Sequence, residues 1–263
     1  MLDGPKLAST CLSPYTLTVH RLVRMLVFCL GFSGLALASP RRGDAEAAKA
    51  PPETAKAQPK KRYIVAAIGD SLTDSRVGGG KYLKELRKRC PLSRFDAHGV
   101  GGQQTLHMRW RIDEVLAQRQ RMPSARVSYS HLLVLGGVND LSAGSVTHPR
   151  IARTQANLAA IYAHARRRGL EVVAVTLPPW GRLFGDYDKR GAATHTLNAW
   201  IVSRKLSGQV DEVVDIHSLL SCADPDELCP TYRRFPSDRV HWNGAGHRVV
   251  ADALHREAFA DCL

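Results

Sequence analysis

The pattern of apolar and polar positions changes in kind near residue 63. From there to the C-terminus, short apolar runs alternate with longer segments in which apolar residues recur every three or four positions. Tyr63 to Ile68 is an uninterrupted run rich in branched residues, which predicts a strand covered on both faces. Lys81 to Arg89 places Tyr82, Leu83 and Leu86 at helical spacing. Phe95 to Val100 predicts a second strand, and Leu106 to Arg119 a helix with Trp110, Val115 and Leu116 turned inward. Leu132 to Leu135 is a third, fully apolar strand. Pro149 opens a helix with Ile151, Leu158, Ile161 and Tyr162 on one side. It ends in Arg166-Arg167-Arg168-Gly169, cations at the negative end of the helix dipole followed by a glycine cap. Val172 to Leu177, Ala192 to Leu206, Val213 to Ile216 and Asn243 to Phe259 continue the alternation as strand, helix, strand and helix. Long loops, 178–191 and 222–239, precede the last two helices. Five strands alternating with helices at these lengths imply a parallel sheet with helices on both faces.

The first 62 residues follow a different pattern. Arg21 and Arg24 precede the apolar run Met25 to Ala38, which ends in Ala36-Leu37-Ala38. A charged region, an apolar core and a small-residue cleavage site in that order read as a secretory signal over 1–38. The run is shorter than the roughly 20 residues of a membrane-spanning helix, so a retained anchor is the lesser reading. Residues 39–62, rich in Ala, Pro and Lys with few large apolar side chains, read as a disordered tether. Residues 63–263 then suit one domain.

Charge and cysteines extend the export reading. Of the formal charge of +13, +2 falls before Ser39, +4 in the tether and +7 in the domain. The arginines are scattered instead of clustered with aromatics, which argues against nucleic acid and leaves an anionic envelope surface as the possible basic-face partner. The domain holds Cys90, Cys222, Cys229 and Cys262, an even number that suits an oxidising compartment, periplasmic or extracellular. Cys222 and Cys229 bracket a polar loop that a bridge would staple, and Cys90 with Cys262 is the remaining pair. No metal site is expected. There is no C-x-x-C pair, and His241 with His247 lacks a third ligand. Gly80-Lys81 lacks the glycine and hydroxyl positions of a phosphate-binding loop.

The chemistry-bearing residues lie at strand ends. Gly69-Asp70-Ser71-Leu72 follows the first strand, where a hydroxyl is presented to ligand. A serine needs a base to act as nucleophile. Asp238 and His241, three residues apart before the last helix, can supply an imidazole oriented by a carboxylate. His217 and His247 read instead as surface or packing histidines. Asp70 is expected to shape the loop. Gly99-Val100-Gly101-Gly102 and Gly136-Gly137-Val138-Asn139-Asp140 follow the second and third strands and offer oxyanion donors. Trp180, Phe184 and Tyr187 are candidates to line a pocket.

These four blocks, in this order, resemble the SGNH (GDSL-type) hydrolases over about residues 63–260. The resemblance implies a flavodoxin-like three-layer α/β/α sandwich around a five-stranded parallel sheet. It implies Ser71, Asp238 and His241 as catalytic residues, and Ser71, Gly102 and Asn139 as the oxyanion hole. One position departs from the pattern: Ala97 or His98 stands where relatives often carry asparagine. The expected activity is ester hydrolysis through an acyl-enzyme on Ser71, acting on a small-molecule or glycan ester without metal or organic cofactor. Deacetylation of an envelope polysaccharide or peptidoglycan is one alternative, and an inactive glycan-binding relative is another.

Overall fold

The computed structural model describes residues 60–118, 128–143, 146–181 and 187–263. The segments read as leader and tether, up to residue 59, and Phe184 lie outside the described residues. The elements, in order, are β1 (Ile64–Gly69), α1 (Lys81–Arg89), β2 (Arg94–Gly99), α2 (Thr105–Gln118), β3 (His131–Leu135), α3 (Val138–Ser142), α4 (His148–Arg167), β4 (Glu171–Val175), α5 (Tyr187–Leu206), β5 (Glu212–Val214), α6 (His217–Leu220) and α7 (Gly244–Ala258).

All five strands are parallel and lie in the order β2-β1-β3-β4-β5. Every residue of β1 and β3 is buried, as uninterrupted apolar runs require of strands covered twice. The chain leaves β1 in one direction to form β2, then crosses back and proceeds the other way. Right-handed crossovers therefore put α1 on one face and the later crossover helices on the other. Accordingly α1 packs against α7, and α4 against both α2 and α5. The reversal of direction opens a crevice at the carboxyl ends of β1 and β3, the position where ligands bind in open α/β sheets.

Helix α2 departs from expectation. Its buried apolar residues are Met108, Ile112, Val115 and Leu116, whereas Trp110 is 69% exposed. Two residues beyond Met108 a helical side chain has turned about 200°, so Trp110 cannot share that face. Its ring instead meets the edge of His107, with 5.4 Å between centroids.

The C-terminus is tied back to the start of the domain. Lys61 N–H donates to the Asp261 carbonyl and Leu263 N–H to the Lys61 carbonyl, each at 2.7 Å, so pairing begins within the segment expected as tether. Cys90 is bonded to Cys262 and Cys222 to Cys229, with Cα separations of 5.3 and 5.1 Å.

Candidate active site

Parallel register aligns the strand ends that carry the candidate residues. Gly69 lies beside Gly99 of β2 and Leu135 of β3, so the loops beginning at residues 70, 100 and 136 leave the sheet together. Ser71 comes from the first, Gly102 from the second and Asn139 from the third. His241 arrives from the loop before α7, whose first turn is capped by the Asn243 side chain accepting from Ala245 and Gly246 N–H at 2.9 and 3.1 Å.

The short spacing of Asp238 and His241 folds as a tight turn. Asp238 Oδ1 accepts from the backbone N–H of Val240 at 3.1 Å and of His241 at 2.9 Å. The same carboxylate lies 3.1 and 3.2 Å from His241 Nδ1. An ionised carboxylate only accepts, so Nδ1 carries the hydrogen and Nε2 presents a lone pair. Ser71 Oγ lies 2.9 Å from that Nε2. Asp238 is buried, while the His241 side chain is 36% exposed and faces the crevice.

The other side of Ser71 is lined by backbone. A Cβ placed on Gly101 would lie 3.8 Å from the Ser71 Cβ, so the 100–104 loop rests against the serine. Gly101 N–H donates to Asp74 Oδ2 at 3.0 Å. Asp74 is also bonded to the Arg76 guanidinium through Oδ1 and Oδ2, both at 2.9 Å, which holds its carboxyl down to about 2. Gly102 has φ +77°, a conformation that strains any residue with a side chain. Among the described residues no hydrogen bond uses the N–H of Gly102 or of Ser71. Asn139 Nδ2 donates to the Gln103 carbonyl at 3.0 Å, fixing the amide with its second hydrogen free.

Two buried carboxyls underlie these loops. Asp70 Oδ1 accepts from Leu72 N–H at 3.0 Å, while Oδ2 is buried with no hydrogen-bond partner among the described residues. Burial, reinforced by the nearby Asp140 charge, pushes the Asp70 carboxyl up to about 7. Asp140 accepts from Thr105 N–H at 2.9 Å and Thr105 Oγ1 at 2.6 Å, joining the third loop to the start of α2, and burial raises its carboxyl as well. His247 packs between the Tyr82 and Trp242 rings, and burial lowers it to about 4, so it lies in the core as a neutral ring.

The cavity at Ser71 has a volume of about 180 Å³ and is lined by Asp70, Leu72, Val138, Asn139, Ser142, Trp180, Val240 and His241. Trp180 is held in this wall by its indole N–H, which donates to Thr194 Oγ1 at 3.0 Å. The side chain of Tyr187 lies outside the described residues.

The family model described as the GDSL-like lipase/acylhydrolase family matches residues 67–249, from β1 into α7. The chain belongs to that family. No curated protein sequence is a significant match. Among solved structures, this acylhydrolase-family chain is similar to a GDSL-like lipase from Bacteroides thetaiotaomicron, with TM-score 0.57, 17% identity, and 73% of this chain and 86% of that one covered. It is also similar to an acetyl xylan esterase, AlAXEase, with TM-score 0.57, 19% identity and 73% and 98% covered. An acetylxylan esterase from Geobacillus stearothermophilus, solved as a catalytic mutant, gives TM-score 0.58, 17% identity and 78% and 99% covered. The five-stranded three-layer sandwich is the fold these hydrolases share.

Sequence reasoning had no role for Asp74 or Thr105, and placed Asp140 only in the block around Asn139 and as a reserve carboxylate for His241. Each acts through a partner distant in sequence, and the one local signal was the carboxylate beside Asn139 in Gly137-Val138-Asn139-Asp140.

Proposed function

We propose that this GDSL-family hydrolase is a serine ester hydrolase acting on short acyl esters. The observation that carries the reading is the continuous chain from Asp238 through His241 to Ser71 Oγ, opening into a small cavity. His241 Nε2 takes the hydroxyl proton as Ser71 Oγ attacks the ester carbonyl. The tetrahedral oxyanion is held by the N–H groups of Ser71 and Gly102 and the free hydrogen of the Asn139 amide, each such donor contributing about 3 kcal/mol. His241 returns the proton to the departing alkoxide oxygen, leaving an acyl-enzyme on Ser71. Water, deprotonated by the same imidazole, releases the acid.

The cavity volume favours a small acyl group. At about 180 Å³ the cavity lies below the roughly 300–1,000 Å³ of ordinary ligand pockets, which supports a short acyl group. The likeness to two acetyl xylan esterases supports an O-acetylated carbohydrate as the substrate class. Export to the periplasm or medium is supported by the Met25 to Ala38 pattern and by the two cystine pairs, and the tether's charge of +4 supports an anionic envelope surface as its partner. The test is labelling by a fluorophosphonate together with a nitrophenyl ester series from acetate upward and an acetylated glycan. Labelling abolished by Ser71→Ala, with kcat/KM falling as the acyl chain lengthens, is expected. Labelling that persists in Ser71→Ala removes the serine from the role, and a maximum at long chains removes the short-acyl reading.

A further inference from the structure

The proposed chemistry leaves unused a second group of side chains around the loop closed by Cys222–Cys229. His195 of α5, His217 at the start of α6 and Asp226 in that loop each offer one ligand atom, all within 4.8 Å of one another. His195 Nε2 lies 2.7 Å from Asp226 Oδ1, and the two imidazole centroids are 5.0 Å apart.

His217 gives the cluster its meaning. The residue is only 9% exposed, and its Nε2 is buried with no hydrogen-bond partner among the described residues. Its other nitrogen, Nδ1, lies 3.0 Å from the Leu177 carbonyl and 3.2 Å from Asn198 Nδ2. The Leu177 carbonyl accepts and the Asn198 amide donates, so the two contacts call for opposite tautomers; the Leu177 contact is the shorter, and with the hydrogen on Nδ1 the Nε2 is a bare lone pair. An unpaired buried acceptor costs stability unless something fills its place. A backbone carbonyl on the far nitrogen is also the outer-shell arrangement that orients a metal-bound histidine.

The backbone around Asp226 is shaped for close approach. A Cβ on Gly191 would fall 2.7 Å from Asp226 Oδ2 and 2.8 Å from Cγ, and one on Gly181 would fall 2.6 Å from the Asp226 carbonyl. Gly181 N–H donates to that carbonyl at 2.7 Å. Among the described residues, the other close cluster of this kind, Cys90, His255 and Cys262, offers no thiolate because its cysteines are bonded to each other.

We propose that His195, His217 and Asp226 bind one divalent transition-metal ion of the zinc class, which pins the Cys222–Cys229 loop to α5. Two imidazoles and a carboxylate suit zinc better than magnesium or calcium, with water completing the coordination. This departs from the sequence, where no metal spacing was visible. The loop so pinned contacts the chain next to two residues of the candidate active site, Trp180 and Asp238. Gly181 follows Trp180 of the cavity wall, and Glu227, next to Asp226, accepts from Arg233 at 3.0 Å and from Arg239 at 2.9 Å, the latter adjoining Asp238. The inference does not rest on the esterase reading.

The experiment titrates chelator-stripped full-length protein, disulfides intact, with Zn2+ alone and with Co2+ alone, reading stoichiometry, melting temperature and cobalt absorption. One ion per chain and a rise in melting temperature are expected. His195→Ala and Asp226→Asn change side chains that are 50% and 31% exposed, so both should fold, and each should weaken binding at least tenfold, the loss that even an outer-shell partner brings. Failure to bind either ion, or binding that both variants leave unchanged, overturns the proposal.

Discussion

Replacing Asp70 by Asn should make the domain more stable at alkaline pH and hardly change it in acid. Burial raises the Asp70 carboxyl from 3.8 to about 7, so between those values the folded state holds a proton that the unfolded chain has released. A raised acid contributes stability that is fully present below the unfolded value and is lost as pH rises through the folded one. A shift of about three units at 1.36 kcal/mol each sets a ceiling of about 4 kcal/mol, reached above about pH 7. Asn keeps the acceptor for Leu72 N–H and is neutral throughout. Its amide nitrogen replaces Oδ2, which has no partner among the described residues, so little is lost where Asp70 is protonated. Urea unfolding of parent and Asp70→Asn, disulfides intact, at steps from about pH 4.5 to about pH 8 measures the difference directly. Asp74 titrates near 2, outside this window, and cancels in the comparison. The variant's advantage should grow with pH toward about 4 kcal/mol. A difference that stays flat within the roughly 10–15% extrapolation uncertainty would mean that Asp70 is charged in the fold, and the reasoning would fail.

Three further outcomes are expected. Asn139→Ala should lower kcat by about a hundredfold or more with little change in KM, because the amide meets the oxyanion only in the transition state; steady-state kinetics with unaltered kcat would reduce Asn139 to a loop residue. Asp238→Asn keeps the turn's acceptor but can orient the wrong imidazole tautomer, so kcat should fall by about four orders of magnitude while circular dichroism stays unchanged. Replacing Cys90 and Cys262 by Ser opens a closure spanning 172 residues, worth about 5 kcal/mol by the chain-entropy relation, and the melting temperature should drop far more than when Cys222 and Cys229, 7 apart, are replaced.

The parts of the fold legible in the sequence are those whose cause is local. Strands buried on both faces need continuous apolar runs, and β1 and β3 fall within a residue of the Tyr63 to Ile68 and Leu132 to Leu135 runs. Helix α4 was legible from its proline start and arginine-glycine end. The short helices α3 and α6 span too few residues to show a period, and Trp110 was misplaced because apolarity alone does not fix a helical face. The site divides in the same way. Ser71, Asn139, Asp238 and His241 stand in compact motifs at element ends, whereas Asp74, Asp140 and the group of His195, His217 and Asp226 become neighbours only through the tertiary fold.

The two adjacent glycines after β2 show where letters stop and geometry takes over. Gly101 and Gly102 are equivalent as residues, and either could offer an N–H beside Ser71. Asp74 distinguishes them. Its carboxylate, held ionised by Arg76, takes the Gly101 N–H at 3.0 Å, so that hydrogen is already committed to an anion. A committed hydrogen cannot turn to a second, transient anion without leaving the first. Gly102, turned by its φ of +77°, keeps its N–H uncommitted among the described residues, which favours it as the donor. Asp74 thus acts on the proposed chemistry without touching the ester. Asp74→Ala should free Gly101, loosen the 100–104 loop and lower kcat, whereas Asp74→Asn, which retains an acceptor for the Gly101 N–H, should recover much of the loss. Equal kcat values for the two variants would show that Asp74 serves the Arg76 turn alone.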